Sequence, residues 1–316
     1  MEKFLSCDWG TSSFRLKLVT SIDYTIVAEE NSKQGIAAVF ETWKQQSSGP
    51  NRISFYYAHI REAIEKLEQY TGTSLANIPV VISGMASSSI GMVDLPYHEL
   101  PFNTSGEDLI VHRISAADAS REIIIISGAK TAQDVMRGEE TQLVGAITGQ
   151  PEKEEGLFIF PGTHSKHVTV RNSKAITFQT YITGELFDLL AKKSILSASL
   201  IESNERENTE ETSAFARGVQ DGLHLNILHS SFRVRVHDLF GTMTKQMNYR
   251  YLSGLLIGTE IRELIDTDMP VTLIGNHSLN ALYKSAFEAA GFAGSLALSE
   301  AEQATIKGQY VIAFRP

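Results

Sequence analysis

Two Gly-Thr turns, about half a chain apart, constrain this sequence more than any other feature. The first lies in Cys7-Asp8-Trp9-Gly10-Thr11-Ser12-Ser13-Phe14-Arg15, between Phe4-Leu5 and Leu16-Lys17-Leu18-Val19. The second is Pro161-Gly162-Thr163-His164-Ser165-Lys166, between Leu157-Phe158-Ile159-Phe160 and His167-Val168-Thr169-Val170. Each reads as strand, tight turn, strand. Glycine lets backbone approach a ligand closely. Successive N–H groups in such a turn cradle an anion, and the hydroxyls of Thr11, Ser12 and Ser13 add donors. Taken together, the turns read as two phosphate-gripping hairpins facing each other across a cleft, with the remaining chain holding them there. Taken singly, each would pass for an ordinary hairpin.

The 316 residues suggest about two domains. With 42% hydrophobic and 21% charged residues, the composition is that of a soluble globular enzyme. A net charge of −9 argues against a general nucleic-acid binder and leaves room for an anionic small ligand held by local donors. No apolar run is long enough to span a bilayer, and the chain opens on a strand, not a signal peptide. Cys7 is the single cysteine, which excludes an intramolecular disulfide and a cysteine metal cluster. It is expected as buried filler in a cytoplasmic protein.

In chain order, residues 4–8, 14–20 and 24–30 read as an antiparallel meander. Residues 55–70 have a helical period, with Ile60, Ala63, Ile64 and Leu67 on one face. Pro79-Val80-Val81-Ile82 is a buried strand running into Ser83-Gly84-Met85-Ala86-Ser87-Ser88-Ser89. Small residues after a strand are where α/β sheets place ligands. Residues 91–113 read as irregular, 123–126 as a second buried strand, and a helix begins near Gly138-Glu139-Glu140 and stops near Gly149-Gln150-Pro151. The polar residues 152–156 look like a link. The plan then repeats: strands at 157–160, 167–170 and 175–180, and helices at 184–193, 211–229 and 252–264. A strand at 270–274 follows, running into Gly275-Asn276-His277-Ser278, and a helix at 279–290 closes the series. Meander, helix, strand, helix, twice over, is an α/β duplication.

Several residues carry candidate chemistry. Asp8, at a strand end, suits Mg²⁺ held through water and phosphates; it would also serve as a turn former. His164, Ser165 and Lys166 add donors to the second turn. Asp134, Arg137, Glu139 and Glu140 cluster around a helix start, where carboxylates also act as plain caps. The functional reading is a general base for an alcohol, with Arg137 as a fork for a substrate carboxylate. Thr183 suits a helix N-cap.

At these residues the chain resembles the 2-dehydro-3-deoxygalactonokinase family. The resemblance lies in residues 134–142 (DVMRGEETQ), 161–166 (PGTHSK), 183–187 (TGELF) and 251–258 (YLSGLLIG), with 8–15 (DWGTSSFR) matching the family's first phosphate motif. It covers residues 4–290. It implies an α/β, two-domain actin-like ATPase fold, a duplicated ribonuclease H-like unit with an interdomain cleft. Residues 1–152 would hold the first phosphate turn and the sugar-acid pocket, and residues 153–316 the second turn and the adenosine site.

The activity implied is transfer of the ATP γ-phosphoryl group, with Mg²⁺, to the 6-hydroxyl of 2-dehydro-3-deoxy-D-galactonate in galactonate catabolism. Carried over, Asp8, Gly10, Thr11, Ser12 and Ser13 form the first phosphate loop, with Asp8 toward the metal, and Gly162, Thr163, His164, Ser165 and Lys166 form the second. Gly275 stands in the adenosine motif, where Asn276-His277 replaces an expected small residue. His167 replaces a common aromatic, which implies a packing change. Glu139 and Asp134 are expected as the base, with Glu140 behind them. Arg15, Ser83, Gly84, Ser87, Tyr97 and Arg137 are expected around the sugar acid. The expected partner is that small molecule, with no nucleic acid and no membrane, and a homodimer is compatible with the chain. The alternatives are a kinase of the same fold for another sugar acid, or an ATP-bound sensor without phosphotransfer.

Overall fold

The first strand sets the frame. β1 (Lys3–Trp9) pairs antiparallel with β2 (Phe14–Thr20), Leu5 opposite Leu18 and Asp8 opposite Arg15, and β2 pairs with β3 (Ile26–Ser32). A computed structural model of the chain describes residues 2–46, 51–115, 121–150, 155–202 and 208–315. Residues 152–154 of the expected link lie outside them. By its contacts the chain divides into two compact units. One comprises Met1–Glu155, Val168–Phe178 and Ser299–Pro316, and the other Gly156–His167 and Gln179–Leu298. The C-terminal segment therefore groups with the first unit, whereas sequence order ran it with the second.

In the first unit the meander leads into α1 (Ile36–Lys44), α2 (Arg52–Thr71) and β4 (Val80–Gly84). The stretch read as irregular contains β5 (His98–Glu99), β6 (Phe102–Asn103) and β7 (Val111–Ile114). Next come β8 (Ile123–Ile126), the short hairpin β9 (Ala129–Lys130) with β10 (Val135–Met136), and α3 (Glu139–Ile147). The main sheet has the order β3-β2-β1-β4-β8-β7, with β1, β4 and β8 parallel at its centre. The apolar runs explain that centre: Leu5, Val80 to Ile82 and Ile123 to Ile126 are fully buried, as strands covered on both faces must be. Parallel strands end at one edge, so Trp9, Gly84 and Ile126 come out together. Asn51 caps α2 by accepting from the Ser54 N–H at 2.9 Å, and the helix buries Tyr56, Ile60, Ile64 and Leu67 against Leu5, Cys7 and Ile82. Each fully buried aliphatic side chain contributes about 1.5–3 kcal/mol. Cys7 is free and buried, as expected.

The second unit begins with β11 (Gly156–Phe160), β12 (Ser165–Arg171) and β13 (Lys174–Tyr181), whose far ends belong to the first unit. Then come α4 (Thr183–Lys193), α5 (Thr209–His224), α6 (Ile227–Phe240) and α7 (Lys245–Ile261). β14 (Val271–Gly275), α8 (His277–Ala289) and β15 (Leu296–Glu300) complete it. The strand order is β15-β14-β11-β12-β13, with β11 parallel to β14. The single helix expected at 211–229 is two helices. Leu225 is extended between them, and Asn226 starts α6 by accepting from the Leu228 N–H at 3.0 Å.

The last helix, α9 (Ala301–Ala313), closes the first unit. It lies so tightly on α3 that a Cβ at Gly308 would come within 1.9 Å of the Thr141 carbonyl oxygen. Its buried Gln309 donates from Nε2 to the Cys7 carbonyl and to Ser83 Oγ, both at 2.8 Å.

Candidate active site

The first turn is held from behind. Trp9 is fully buried, edge-on to Phe14, and donates from Nε1 to the Gln34 carbonyl at 3.1 Å. The Gly10 N–H closes the turn on the Ser13 carbonyl at 2.9 Å. The opening of α1 then takes the turn's carbonyls, Ile36 N–H donating to Gly10 and Ala37 N–H to Thr11 at 3.0 and 3.2 Å. This approach needs a glycine, because a Cβ at Gly35 would lie 2.3 Å from the Thr11 carbonyl oxygen. With the carbonyls engaged, the N–H groups of Thr11, Ser12 and Ser13 find no acceptor among the described residues. A row of unpaired donors is what an anion cradle requires.

Beside this turn the ends of β1 and β4 meet the start of α3. Asp8 pairs through Oδ2 with Arg15 at 3.0 Å, while Oδ1 lies 3.6 Å from where a Gly84 Cβ would stand. Enclosure pushes the Asp8 carboxyl up from its ordinary value, and the Arg15 guanidinium pulls it partly back. Gly84 has φ +89° and Gly138 φ +114°, conformations that side chains rarely adopt, and a Cβ at Gly138 would come within 3.6 Å of the Gly84 Cα. The site is therefore lined by backbone where bulk would fill it.

The carboxylates at the helix start differ in role. Glu140 is fully buried and accepts from the Gly138 N–H at 2.8 and 3.0 Å and from Thr141 Oγ1 at 3.0 Å. Burial, then the neighbouring Glu139 charge, push its carboxyl from 4.5 to about 7. Glu139 is partly exposed and accepts from the Arg137 N–H at 2.9 Å through Oε2. Asp134 lies in the turn of the β9–β10 hairpin, its carboxylate accepting from the Val135 N–H at 3.0 Å and its carbonyl from the Thr131 N–H. The Arg137 guanidinium lies 4.2 Å from the centre of the Tyr97 ring and donates from Nη1 to Ser87 Oγ at 2.6 Å and to the Ser87 carbonyl. Its buried Nε has no hydrogen-bond partner among the described residues. The structure thus brings Asp8, Arg15, Gly84 and Gly138 together, and joins Arg137 to Ser87 and Tyr97 through its side chain and to Glu139 through its backbone N–H. Ser83 is buried beneath, occupied by Gln309.

The second turn repeats the first with different parts. Here α4 supplies the helix start. The Glu185 N–H donates to the Thr163 carbonyl at 3.0 Å, and a Cβ at Gly184 would lie 2.6 Å from the Gly162 oxygen. The N–H groups of Gly162, Thr163 and His164 have no acceptor among the described residues. His164 pairs through Nε2 with Glu185 at 2.6 Å. Lys166 is buried, with Nζ 3.3 Å from the His164 carbonyl, and buried Ser165 donates to Glu260 at 2.7 Å. Gly275 ends β14 with its carbonyl on Asn280 Nδ2 at 3.0 Å, and Asn276 caps α8 by accepting from the Leu279 N–H. That capping role accounts for asparagine where a small residue was expected.

Sequence reasoning overlooked Gly35, Gln309 and Glu260. For Glu260 a signal existed: a lone carboxylate inside the apolar stretch Leu255 to Ile261.

A family model for 2-keto-3-deoxy-galactonokinase matches residues 8–312. The chain is 38% identical over 299 residues to the 2-dehydro-3-deoxygalactonokinase of Escherichia coli K12, covering 92% of this chain and 90% of that one. The crystal structure of a candidate 2-dehydro-3-deoxygalactonokinase from Sinorhizobium meliloti superposes with a TM-score of 0.78 at 29% identity, covering 98% of both chains. The activator of 2-hydroxyisocaproyl-CoA dehydratase from Clostridium difficile, solved with bound ADPNP, superposes with a TM-score of 0.51 at 15% identity, covering 98% of this chain and 93% of that one. The fold is that of the actin-like ATPases.

Proposed function

The chain belongs to the 2-keto-3-deoxy-galactonokinase family, and from that premise we propose that it transfers the γ-phosphoryl group of ATP to the 6-hydroxyl of 2-dehydro-3-deoxy-D-galactonate, a step of galactonate catabolism. The observation that carries the assignment of roles is the convergence of Asp8, Gly84 and Gly138, with Glu139 beside them, at the carboxyl ends of β1 and β4.

Phosphoryl transfer asks the protein for alignment and charge neutralisation more than for covalent chemistry. The two Gly-Thr turns hold phosphate oxygens through their unpaired N–H groups. Glu139, the more accessible carboxylate of the α3 start, takes the proton of the 6-hydroxyl as that oxygen bonds to the γ-phosphorus and ADP departs. Glu140 fixes the turn by holding the Gly138 N–H. Asp134 is the less favoured base, because its carboxylate is used within a hairpin turn. Arg137, set by Tyr97 and Ser87, supplies the positive charge that faces the sugar-acid carboxylate.

Mg²⁺ fits this donor set. No group of three or more metal-ligating side chains exists among the described residues, and a single carboxylate at Asp8 suits an ion held mainly by phosphates and water. Bound with ATP, it would neutralise charge on the phosphoryl oxygens. A cytoplasmic setting is part of the same proposal. No described helix is long and apolar enough to cross a membrane.

A coupled ADP-release assay with a panel of sugar acids tests the reading. ADP should appear only when a sugar acid is present, fastest with 2-dehydro-3-deoxy-D-galactonate. Faster turnover of another acid would move the assignment to that substrate, and nucleotide binding without turnover of any acid would favour a sensor.

A further inference from the structure

Behind the second turn sits a buried carboxylate that no step above uses. Glu260, near the C-terminal end of α7, is 3% exposed. Oε1 accepts from Ser165 Oγ at 2.7 Å and His167 Nε2 at 2.8 Å. Oε2 accepts from Tyr283 OH at 2.7 Å and from Thr183 Oγ1. An ionised carboxylate has about four acceptor sites, so this one is saturated. The donors come from the strand leaving the turn, the helix start that packs on the turn, and α8. Ser165 is the residue after His164, and Thr183 precedes the glycine whose missing Cβ lets α4 reach the Gly162 carbonyl. His167, expected to be a packing change only, does pack on Tyr181, with ring centroids 4.5 Å apart, and also anchors Glu260.

We propose that Glu260 is the positioning residue of the second phosphate turn, fixing the backbone N–H groups of residues 162–164 by clamping Ser165 and Thr183 on either side of them. This rests on reading that turn as a phosphate holder. A carboxylate accepts from all four neighbours at once, whereas the two hydrogens of an amide NH₂ in its place would oblige two of them to turn their own hydrogens away and loosen the clamp. Burial alone would push the Glu260 carboxyl up; the hydrogen bond and charge of His167, then Ser165 and Thr183, outweigh it and hold the carboxyl below its ordinary value. The clamp is therefore set in its charged form. Glu260 touches neither turn backbone nor substrate, so its effect must appear through nucleotide alignment.

The test compares Glu260→Gln, Thr183→Val and Gly162→Ala with the parent enzyme. Gly162→Ala probes the turn itself, since nothing lies within 4 Å of a Cβ built there and the fold should tolerate it. Gly162→Ala and Glu260→Gln should each raise KM for ATP by about tenfold or more, with KM for the sugar acid changed less than about twofold. Thr183→Val, which removes one donor, should shift KM for ATP in the same direction by about threefold. If Gly162→Ala weakens ATP while Glu260→Gln and Thr183→Val lower only the melting temperature, the positioning role is overturned and the phosphate turn stands. If Gly162→Ala leaves ATP untouched, the phosphate reading of the turn falls instead. Should Glu260→Gln not yield folded protein, Thr183→Val and Ser165→Ala decide in its place by the same split.

Discussion

The two Gly-Thr turns are built alike and supported differently. In each, the N-terminus of a following helix donates to the turn's carbonyls, a glycine at that helix start permits the contact, and three consecutive N–H groups are left without acceptors. The first turn adds chemistry: Asp8 stands at its entrance, paired with an exposed Arg15, and the carboxylates of α3 adjoin through Gly84 and Gly138. The second has Phe160 and Pro161 at its entrance and a saturated buried carboxylate behind it. The same backbone device thus serves two ends. One turn is flanked by Asp8 and the helix start that carries Glu139 and Glu140, the other by an exposed His164–Glu185 pair in front and a saturated buried carboxylate behind.

The largest effects should separate these roles. Asp8→Asn and Glu139→Gln are expected to lower kcat by about 10²–10⁴-fold with little change in melting temperature. Equal turnover in both variants would remove the chemical half of the comparison.

Next in size is a pH effect confined to the first unit. The Glu140 carboxyl is raised to about 7 in the folded protein. A raised folded value contributes stability below the unfolded value, and that contribution is lost as pH rises through the folded one. Between pH 5 and 8 the loss should approach roughly 3 kcal/mol. Urea unfolding of Glu140→Gln should show a correspondingly flatter stability profile over that window. An unchanged profile would mean that another group governs it.

Two glycine substitutions test the likeness itself. Gly35→Ala and Gly184→Ala should each cost about 1–3 kcal/mol, because a methyl would meet carbonyl oxygen in both places. Both should weaken ATP binding. A loss at one site only would show that the turns are not equivalent devices. The smallest effect belongs to Arg15→Ala, an exposed pair worth under about 1 kcal/mol of stability. Its loss should still move the acid limb of kcat/KM upward in pH, because Arg15 holds the Asp8 carboxyl down.

Much of this was readable from the residues because the determinants are local. Continuous apolar runs marked β4, β8, β11 and β14, a 3.6-residue period marked α2, and the Gly-Thr turns stood between apolar strands. The supports were hidden because they are contacts distant in sequence. Gln309 reaches Cys7 and Ser83 only after the last helix folds back. Glu260 meets Ser165 and Thr183 across three elements. Gly35 carries no local signal, and only its closeness to the Thr11 carbonyl gives it a reason. The break between α5 and α6 was missed because Asn226 at a helix start reads, within one long apolar-periodic stretch, like any polar surface residue. Asp134 and Glu139 are near neighbours in the sequence, and spacing alone does not show that one lies in a hairpin turn and the other at the helix start that follows it.

The central claim is that both turns hold phosphate through backbone N–H groups. Amide hydrogen exchange, with and without a non-hydrolysable ATP analogue and Mg²⁺, tests it residue by residue. The account predicts slowed exchange at residues 11–13 and at residues 162–164 when the analogue binds. Saturating analogue that left either segment exchanging as in the free protein would contradict it.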